Sequence, residues 1–167
     1  MQLFYTPDHA RVGDVIPYYE NGEFKLFYLK NWNPYFGSDK TYGWHLLTTN
    51  DLIHYEAETA IGILGGTGCI IKVEGLYHLY YCVFEDQPQR QYVCHATSTD
   101  LTNWTKYPDE TFGPDESIYL LTDWRDLHVI WNEEEKCWWM ILCAQNQGNT
   151  KRRGCVGLCK SVDLHHW

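Results

Sequence analysis

Short runs of alternating apolar and polar residues follow one another along the chain and predict β-strands. Two clear examples are FKLFY at 24–28 and YHLYY at 77–81, which have the two-residue period of a half-buried strand. No segment keeps a 3.6-residue period, so we expect little helix. The predicted strands lie at 15–19, 24–28, 44–49, 58–63, 69–73, 76–84, 92–98, 127–131, 137–144 and 154–160.

These strands fall into three units with the same internal order. Each unit has an apolar strand, a polar turn, an aromatic strand, and a third strand that leads into an Asp-Leu-x-x-Trp or Asp-Leu-x-x-Tyr turn. The turn aspartates are Asp51, Asp100 and Asp163, at intervals of 49 and 63 residues. A repeat of this length, with four antiparallel strands in about 50 residues, predicts the blades of a β-propeller. We expect the three aspartates to cap their turns by accepting hydrogen bonds from backbone N–H groups.

The chain should hold two blades and most of a third. The predicted blades are about 10–63, about 66–112 and an incomplete blade at about 124–167. Propellers close with four or more blades. We therefore expect either a piece of a longer protein or a chain that associates with itself through its open blade edges, because unpaired strand edges favour association.

Composition and charge narrow the possible functions. The chain has 167 residues, of which 44% are hydrophobic and 16% aromatic, as expected of a folded domain. Its formal net charge is −9 and its one basic run is at 151–153, so we expect no nucleic-acid partner. No apolar run is long enough to cross a bilayer and no signal peptide is recognisable, which predicts a cytoplasmic protein without a membrane partner.

The cysteines and histidines do not suggest a metal site or a cofactor. The seven cysteines are odd in number and include no Cys-x-x-Cys pair, so we expect mostly buried thiols in a reducing compartment. Four histidines lie in predicted strands, where packing or hydrogen bonding is the more common role: His45, His78, His95 and His128.

Aligning the repeats brings out two further aspartates. When the turn glycines Gly22 and Gly75 are superposed, Asp14 falls opposite Thr67, and strand content puts Asp126 at the same place in the third unit. Both aspartates precede the first strand of a blade, which is nearest the propeller axis, so their carboxylates could face one hollow. Two carboxylates in one cleft are what glycoside hydrolysis requires. A turn cap at Asp14 and a local ion pair at Asp126 are the structural alternatives.

Four motifs occur in a defined order along the chain. They are the Gly-Asp strand and hairpin at 12–28, Trp44-His45 with the turn at 49–55, Gly66-Thr67-Gly68, and Asp-Trp-Arg-Asp at 123–126. They resemble, in the same order, the first-blade signature, the Trp-x-His and Ser-x-Asp-Leu-x-x-Trp ending, the Ser-Gly-Ser-type segment and the Arg-Asp-Pro motif of glycoside hydrolase family 32. That group contains invertases, inulinases and levanases. The resemblance implies an all-β fold, namely part of a five-bladed β-propeller.

The resemblance also implies roles for individual residues. Asp14 would be the nucleophile that forms a covalent fructosyl intermediate in a retaining reaction. Asp126 would stabilise the transition state through hydrogen bonds to fructose hydroxyls, and Arg125 would orient it. The implied substrate is a fructoside or a related glycan, and no cofactor is implied. The implied substrate-binding residues are Trp44, His45, Thr67 and Arg125.

The chain also departs from the family pattern. Gly-Asp-Val-Ile-Pro surrounds Asp14 in place of Asn-Asp-Pro-Asn-Gly, Leu29 replaces a common glutamine, and Leu127 replaces the proline of Arg-Asp-Pro. The family's acid/base glutamate comes after the third Asp-Leu turn, so we expect the 167-residue chain alone to be weakly active or inactive. The alternatives are a family 43-like or family 130-like propeller, or a non-catalytic glycan-binding or assembly module.

Overall fold

The computed structural model describes residues 5–8, 10–31, 43–149 and 151–167. Almost all regular structure in these ranges is β-strand, together with one 3-10 helix, Pro108–Glu110. No helix among these residues has the length and apolar character needed to span a membrane. The strands are β1 (Val12–Glu20), β2 (Glu23–Lys30), β3 (Gly43–Thr49), β4 (Thr59–Ala60), β5 (Gly68–Val73), β6 (Leu76–Asp86), β7 (Gln89–Ser98), β8 (Thr105–Lys106), β9 (Arg125–Asn132), β10 (Cys137–Gln145) and β11 (Gly154–Ser161).

The strands form three antiparallel sheets in chain order, which we call blades 1, 2 and 3. Their orders are β1-β2-β3-β4, β5-β6-β7-β8 and β9-β10-β11. The prediction of an all-β fold is confirmed. The fourth strand of blade 1 is shorter than predicted, because β4 contains only Thr59 and Ala60 rather than the whole of 58–63.

Two tight hairpins set the register of blades 1 and 2. Asn21 and Gly22 have φ of 54° and 85°, and Glu74 and Gly75 have φ of 50° and 87°. Positive φ at both central residues is what a two-residue type I′ turn requires, and it suits the twist of the flanking strands. Since the two turns are alike, aligning the blades on their glycines is valid in three dimensions.

The three Asp-Leu turns share one hydrogen-bond pattern. In blade 2, Oδ1 of Asp100 accepts from the N–H groups of Thr102 and Asn103, at 2.9 and 2.8 Å, and Oγ of Ser98 accepts from the N–H of Leu101 at 2.9 Å. The same bonds form around Asp51 and Asp163. These bonds hold the leucine of each turn in the left-handed region, at φ of 61°, 67° and 68°.

The core consists of two apolar layers between the blades. One contains Phe27, Trp44 and Leu79, where blades 1 and 2 face each other. The other contains Tyr80 and Met140, where blades 2 and 3 face each other. β5 contacts both β1 and β9, so the first strands of the three blades are neighbours. This arrangement brings the beginnings of the three first strands together.

The cysteines are free thiols with different exposure. Cys69, Cys82 and Cys137 are buried, Cys143 is exposed, and the other three are half-buried. Large apolar side chains are exposed on the two outer blades, among them Val15 on β1 and Val156 on β11. Self-association through these blades stays a prediction.

Candidate active site

A cavity of about 620 Å³ lies where the first strands of the three blades begin. Each blade contributes one of the residues that the repeat alignment superposed. They are Asp14 from blade 1, Thr67 from blade 2 and Asp126 from blade 3. The two aspartates therefore face the same cavity.

A β-bulge occurs at this position in blades 1 and 3, and in blade 2 two backbone hydrogen bonds continue the pairing just before β5. The pairing of β1 with β2 shifts at Asp14, between Gly13 and Val15. The pairing of β9 with β10 shifts beside Asp126. In blade 2, Gly66 donates its N–H to the carbonyl of Cys82 at 2.6 Å, and Cys82 donates to the carbonyl of Thr67 at 3.2 Å. A bulge turns one side chain away from the regular alternation of a strand, and here it directs that side chain toward the cavity.

Thr67 connects blade 2 to the first carboxylate. Its hydroxyl donates a hydrogen bond of 2.6 Å to Oδ2 of Asp14. The Gly-Thr-Gly context permits this position, since a Cβ on Gly68 would lie 2.0 Å from the carbonyl oxygen of Tyr80. The other carboxylate oxygen of Asp14 accepts no hydrogen bond from the described residues, so it remains available to a ligand in the cavity.

Asp126 lies in a segment that is held by polar side chains. Its φ is 56°, a left-handed conformation that Asp tolerates better than most residues. Oδ2 of Asp126 is 3.4 Å from Nε of Arg125. Arg125 also pairs with Asp123, which in turn accepts from Gln145. The guanidinium group is therefore fixed at the cavity wall beside the second carboxylate.

Gln91 of β7 joins this segment to blade 2. Its Oε1 accepts the backbone N–H of Trp124 at 2.9 Å and lies 3.5 Å from Nη1 of Arg125. Gln91 also lines the cavity. The side chain thus positions the strand that carries Asp126.

Two cysteine thiols lie near Asp126. Cys82 lines the cavity, and burial raises the pKa of its thiol to about 12. Burial and the nearby Asp126 carboxylate raise the pKa of the exposed Cys143. Both thiols therefore stay protonated at neutral pH, and Cys143 can donate a hydrogen bond to Asp126.

Two of the predicted sugar-binding residues lie away from the cavity wall. Trp44 pairs with Leu29 across β2 and β3, but its side chain is 1% exposed and lies in the layer between blades 1 and 2. His45 is buried beside Tyr28, with Nδ1 3.9 Å from Glu58. Neither residue lines the cavity as the structure describes it.

Phe84 was not anticipated from the sequence. It lines the cavity and its side chain is 53% exposed, which suits an aromatic platform for the apolar face of a sugar. The two hairpin turns of blade 2 carry the missing signal. The first turn pairs Gly68 of β5 with Tyr81 of β6, and the second pairs Phe84 of β6 with Gln91 of β7. The hairpin of β6 and β7 therefore extends past the start of β5, beside Thr67.

The cavity combines charged, polar and aromatic groups. It presents two carboxylates, one guanidinium group, one amide and one exposed aromatic ring. No glutamate lines it among the residues that the structure describes. The carboxylates could attack or stabilise an electron-deficient carbon, and the other groups could bind hydroxyls and a ring face.

Comparisons with known proteins identify the relatives of this chain. The model of the glycosyl hydrolases family 32 N-terminal domain matches residues 15–167, beginning one residue after Asp14. A family 32 β-fructofuranosidase of Bombyx mori is 23% identical with a TM-score of 0.68, over 93% of this chain and 34% of that structure. Fructan 1-exohydrolase IIa from Cichorium intybus is 18% identical with a TM-score of 0.73, over 98% of this chain and 32% of that structure.

A glycoside hydrolase of another family is also similar in structure. A family 117 glycoside hydrolase, Zg3597 from Zobellia galactanivorans, is 15% identical with a TM-score of 0.67, over 96% of this chain and 56% of that structure. No curated protein sequence matches the chain.

The chain spans about a third of the length of the two fructoside-related structures. At these identities the structures establish the fold, which is part of a β-propeller. The family follows from the domain match, because that match covers nearly the whole chain. The chain therefore belongs to glycoside hydrolase family 32.

Proposed function

We propose that this chain provides the nucleophile and the transition-state stabiliser of a retaining glycoside hydrolase that acts on fructosides or a related glycan. The observation that carries the proposal is the placement of Asp14 and Asp126 on equivalent bulges of blades 1 and 3, facing one cavity. Repeated architecture alone would not require a charged side chain at both positions.

Asp14 is the proposed nucleophile. Thr67 holds one carboxylate oxygen, and the other can attack the anomeric carbon. The bond from that carbon to the leaving oxygen breaks as the leaving oxygen takes a proton from an acid. Water then attacks the same carbon, breaks the ester to Asp14 and gives up a proton, so the configuration is retained.

Asp126 is the proposed stabiliser of the transition state. Arg125 lies against its carboxylate, and Gln91 and Asp123 hold Arg125 and the adjacent backbone. A fixed carboxylate can accept hydrogen bonds from sugar hydroxyls and can stabilise the positive charge that develops on the ring. Phe84 would contact the apolar face of the same sugar.

Fructosides are the substrate class that the relatives favour. Structures similar to this chain include a Bombyx mori β-fructofuranosidase mutant in complex with sucrose and a Cichorium intybus fructan exohydrolase variant in complex with 1-kestose. Trp44 and His45 do not line the described cavity, so a role for either at the sugar would require the substrate to extend beyond it.

The test is a substrate panel on the full-length gene product. We expect release of fructose from sucrose, inulin or levan, and none from the double variant Asp14→Asn/Asp126→Asn. Release of arabinose or xylose from nitrophenyl glycosides, without any fructose, would instead assign the protein to a family 43-like activity.

A non-catalytic glycan-binding function is the second candidate. It is favoured by the described cavity lining, which contains no glutamate to serve as proton donor. Loss of a general acid slows such hydrolysis by a factor of about 100 to 10,000. Saturable binding of a fructo-oligosaccharide with no turnover by the full-length product would support this function over hydrolysis.

A further inference from the structure

A second group of ionisable side chains lies far in sequence from the aspartates of the cavity. It consists of His95 on β7, Glu110 at the end of the 3-10 helix, and His165 in the Asp-Leu turn of blade 3. One nitrogen or oxygen atom from each residue lies within 4.8 Å of the others. We call this group the interblade cluster, because it joins blade 2 to blade 3.

The repeat does not require these residues. His95 occurs five residues before its turn aspartate, where the other two blades have Leu46 and Leu158. His165 occurs two residues after its aspartate, where the others have Ile53 and Thr102. His95 is only 3% exposed, and a buried imidazole is costly unless its nitrogens are satisfied. Blade architecture therefore does not explain the cluster.

Glu110 lies between the two imidazoles. Its Oε2 is 2.6 Å from Nδ1 of His95, and its Oε1 is 2.8 Å from Nδ1 of His165. A carboxylate only accepts, so both Nδ1 atoms donate to it. Burial lowers the pKa of His95 below its ordinary value, which favours a neutral ring. Burial opposes ionisation of Glu110, but hydrogen bonds from the two histidines lower its pKa overall.

His78 supports the cluster from behind. Its Nδ1 lies 3.0 Å from Nε2 of His95, and the two rings stack with centroids 5.2 Å apart. Burial lowers the pKa of His78 to about 4, so it too is neutral. This contact fixes the orientation of the His95 ring and gives its Nε2, the nitrogen that faces away from Glu110, a hydrogen-bond partner.

We propose that the interblade cluster binds a divalent transition-metal ion of the zinc class through Nδ1 of His95, the carboxylate of Glu110 and Nδ1 of His165. Two imidazoles and one carboxylate are a ligand set that suits zinc. A neutral histidine keeps one proton when it binds metal, so the proton on each Nδ1 moves to Nε2. On His95 that proton can then be donated to Nδ1 of His78, whose own proton moves to its Nε2, and this outer-shell contact is typical of metal-bound histidine.

Metal binding requires the ligand atoms, which now lie within 4.8 Å of one another, to reach one common spacing. Ligand atoms at zinc–nitrogen distances of about 2.0 Å in a tetrahedron are about 3.3 Å apart. The present hydrogen-bonded separations are 2.6 and 2.8 Å, so the ligands must open by roughly half an ångström. His95 is fixed by burial, whereas Glu110 and His165 are half-buried and can move outward.

The cluster also has access to solvent. A cavity of about 200 Å³ is lined by Glu110, His165, His166 and Trp167, and it leaves room for water as a fourth ligand. A bound ion would connect β7 and the 3-10 helix of blade 2 with the last turn of blade 3. We infer that its effect is to clamp these two blades, beside the bond from the Tyr80 hydroxyl to the carbonyl of Leu164.

The test is calorimetric titration of the purified protein with Zn²⁺ under reducing conditions. We expect one saturable site whose affinity falls by at least about tenfold in Glu110→Gln and in His165→Gln. The control is His54→Gln, an exposed turn histidine whose imidazole pairs with Asp51 of its own turn. Zn²⁺ should raise the melting temperature of the wild type and the control more than that of the two variants.

Seven free thiols could also bind zinc, and two measurements separate them from the cluster. The first is the loss of affinity in Glu110→Gln and His165→Gln, since these substitutions leave every thiol unchanged. Co²⁺ should give visible absorption of a tetrahedral site without thiolate charge-transfer bands. Equal affinities in wild type and variants, or thiolate charge-transfer bands with Co²⁺, would overturn the proposal.

Discussion

The turn aspartates and the bulge aspartates occupy repeated positions, but their surroundings differ. Asp51, Asp100 and Asp163 each accept two backbone hydrogen bonds and at least one from a neighbouring side chain, all within their own turn. Asp14 accepts from Thr67 of another blade, and Asp126 contacts its neighbour Arg125, while both carboxylates face a cavity.

The difference separates architecture from chemistry. A carboxylate whose lone pairs are occupied by local N–H groups stabilises a turn and has little left to offer a ligand. A carboxylate on a bulge, held by one or two side chains, retains accepting capacity where a substrate can reach it. In a repeat protein, the partners of a repeated aspartate therefore indicate its role better than the repeat itself.

The largest expected effect is the difference in kcat between asparagine substitutions at a bulge aspartate and at a turn aspartate. In the full-length gene product, Asp14→Asn should lower kcat for fructose release by at least about a thousandfold, because an amide does not form the covalent intermediate. Asp100→Asn should leave kcat within about twofold, since its contacts lie within one turn. Initial rates and thermal melts of both variants provide the measurement.

The same two variants could contradict the distinction between turn aspartates and bulge aspartates. Retention of wild-type kcat by Asp14→Asn would remove the nucleophile from blade 1. A large loss of kcat in Asp100→Asn, with an unchanged melting temperature, would mean that a turn aspartate takes part in chemistry.

A smaller effect concerns acid stability. Hydrogen bonds from the backbone N–H and side chain of His54 hold the pKa of Asp51 well below its usual range, and equivalent bonds do so for Asp100 and Asp163. Because the folded pKa lies below the unfolded value of about 4, the contribution to stability is complete above that pH and is lost as the pH falls further.

Urea unfolding between pH 6 and pH 2 measures this dependence. The urea concentration at the wild-type midpoint should decrease as the pH drops below about 4, and that of Asp100→Asn should decrease less steeply. Identical slopes would show that the turn carboxylates do not carry the acid sensitivity.

The sequence predicted the parts of the molecule that repeat. Alignment on Gly22 and Gly75 placed Asp14 opposite Thr67, strand content placed Asp126 at the same position of the third unit, and the structure has all three on one cavity. Trp44 was chosen from a motif, and because a motif does not show burial, its role at a sugar stays a prediction.

The remaining features depend on contacts between blades. Phe84 and Gln91 reach the cavity through strand register, which could have been worked out from the two turns. His95 and His165 are 70 positions apart in sequence and meet only through the packing of two blades around Glu110. No local pattern contains that information.

The smallest expected effect tests why leucine follows the turn aspartate. Leu52 and Leu101 both adopt left-handed φ, near 61° and 67°, but Leu52 is 44% exposed and Leu101 is 3% exposed. Glycine relieves the backbone strain, about 1–2 kcal/mol, and restores a similar amount of chain entropy to the unfolded state. Leu52→Gly should therefore change the free energy of unfolding by less than about 1 kcal/mol.

Leu101→Gly is the matched variant, because it has the same backbone but also loses a buried side chain. It should cost about 2–5 kcal/mol in chemical unfolding, as other large-to-small core substitutions do. If both variants lost the same free energy of unfolding, the leucine would be needed for the turn conformation itself. The expected inequality would instead mean that Asp and Ser or Thr form the turn, and that leucine is kept in blades 2 and 3 for the core it enters.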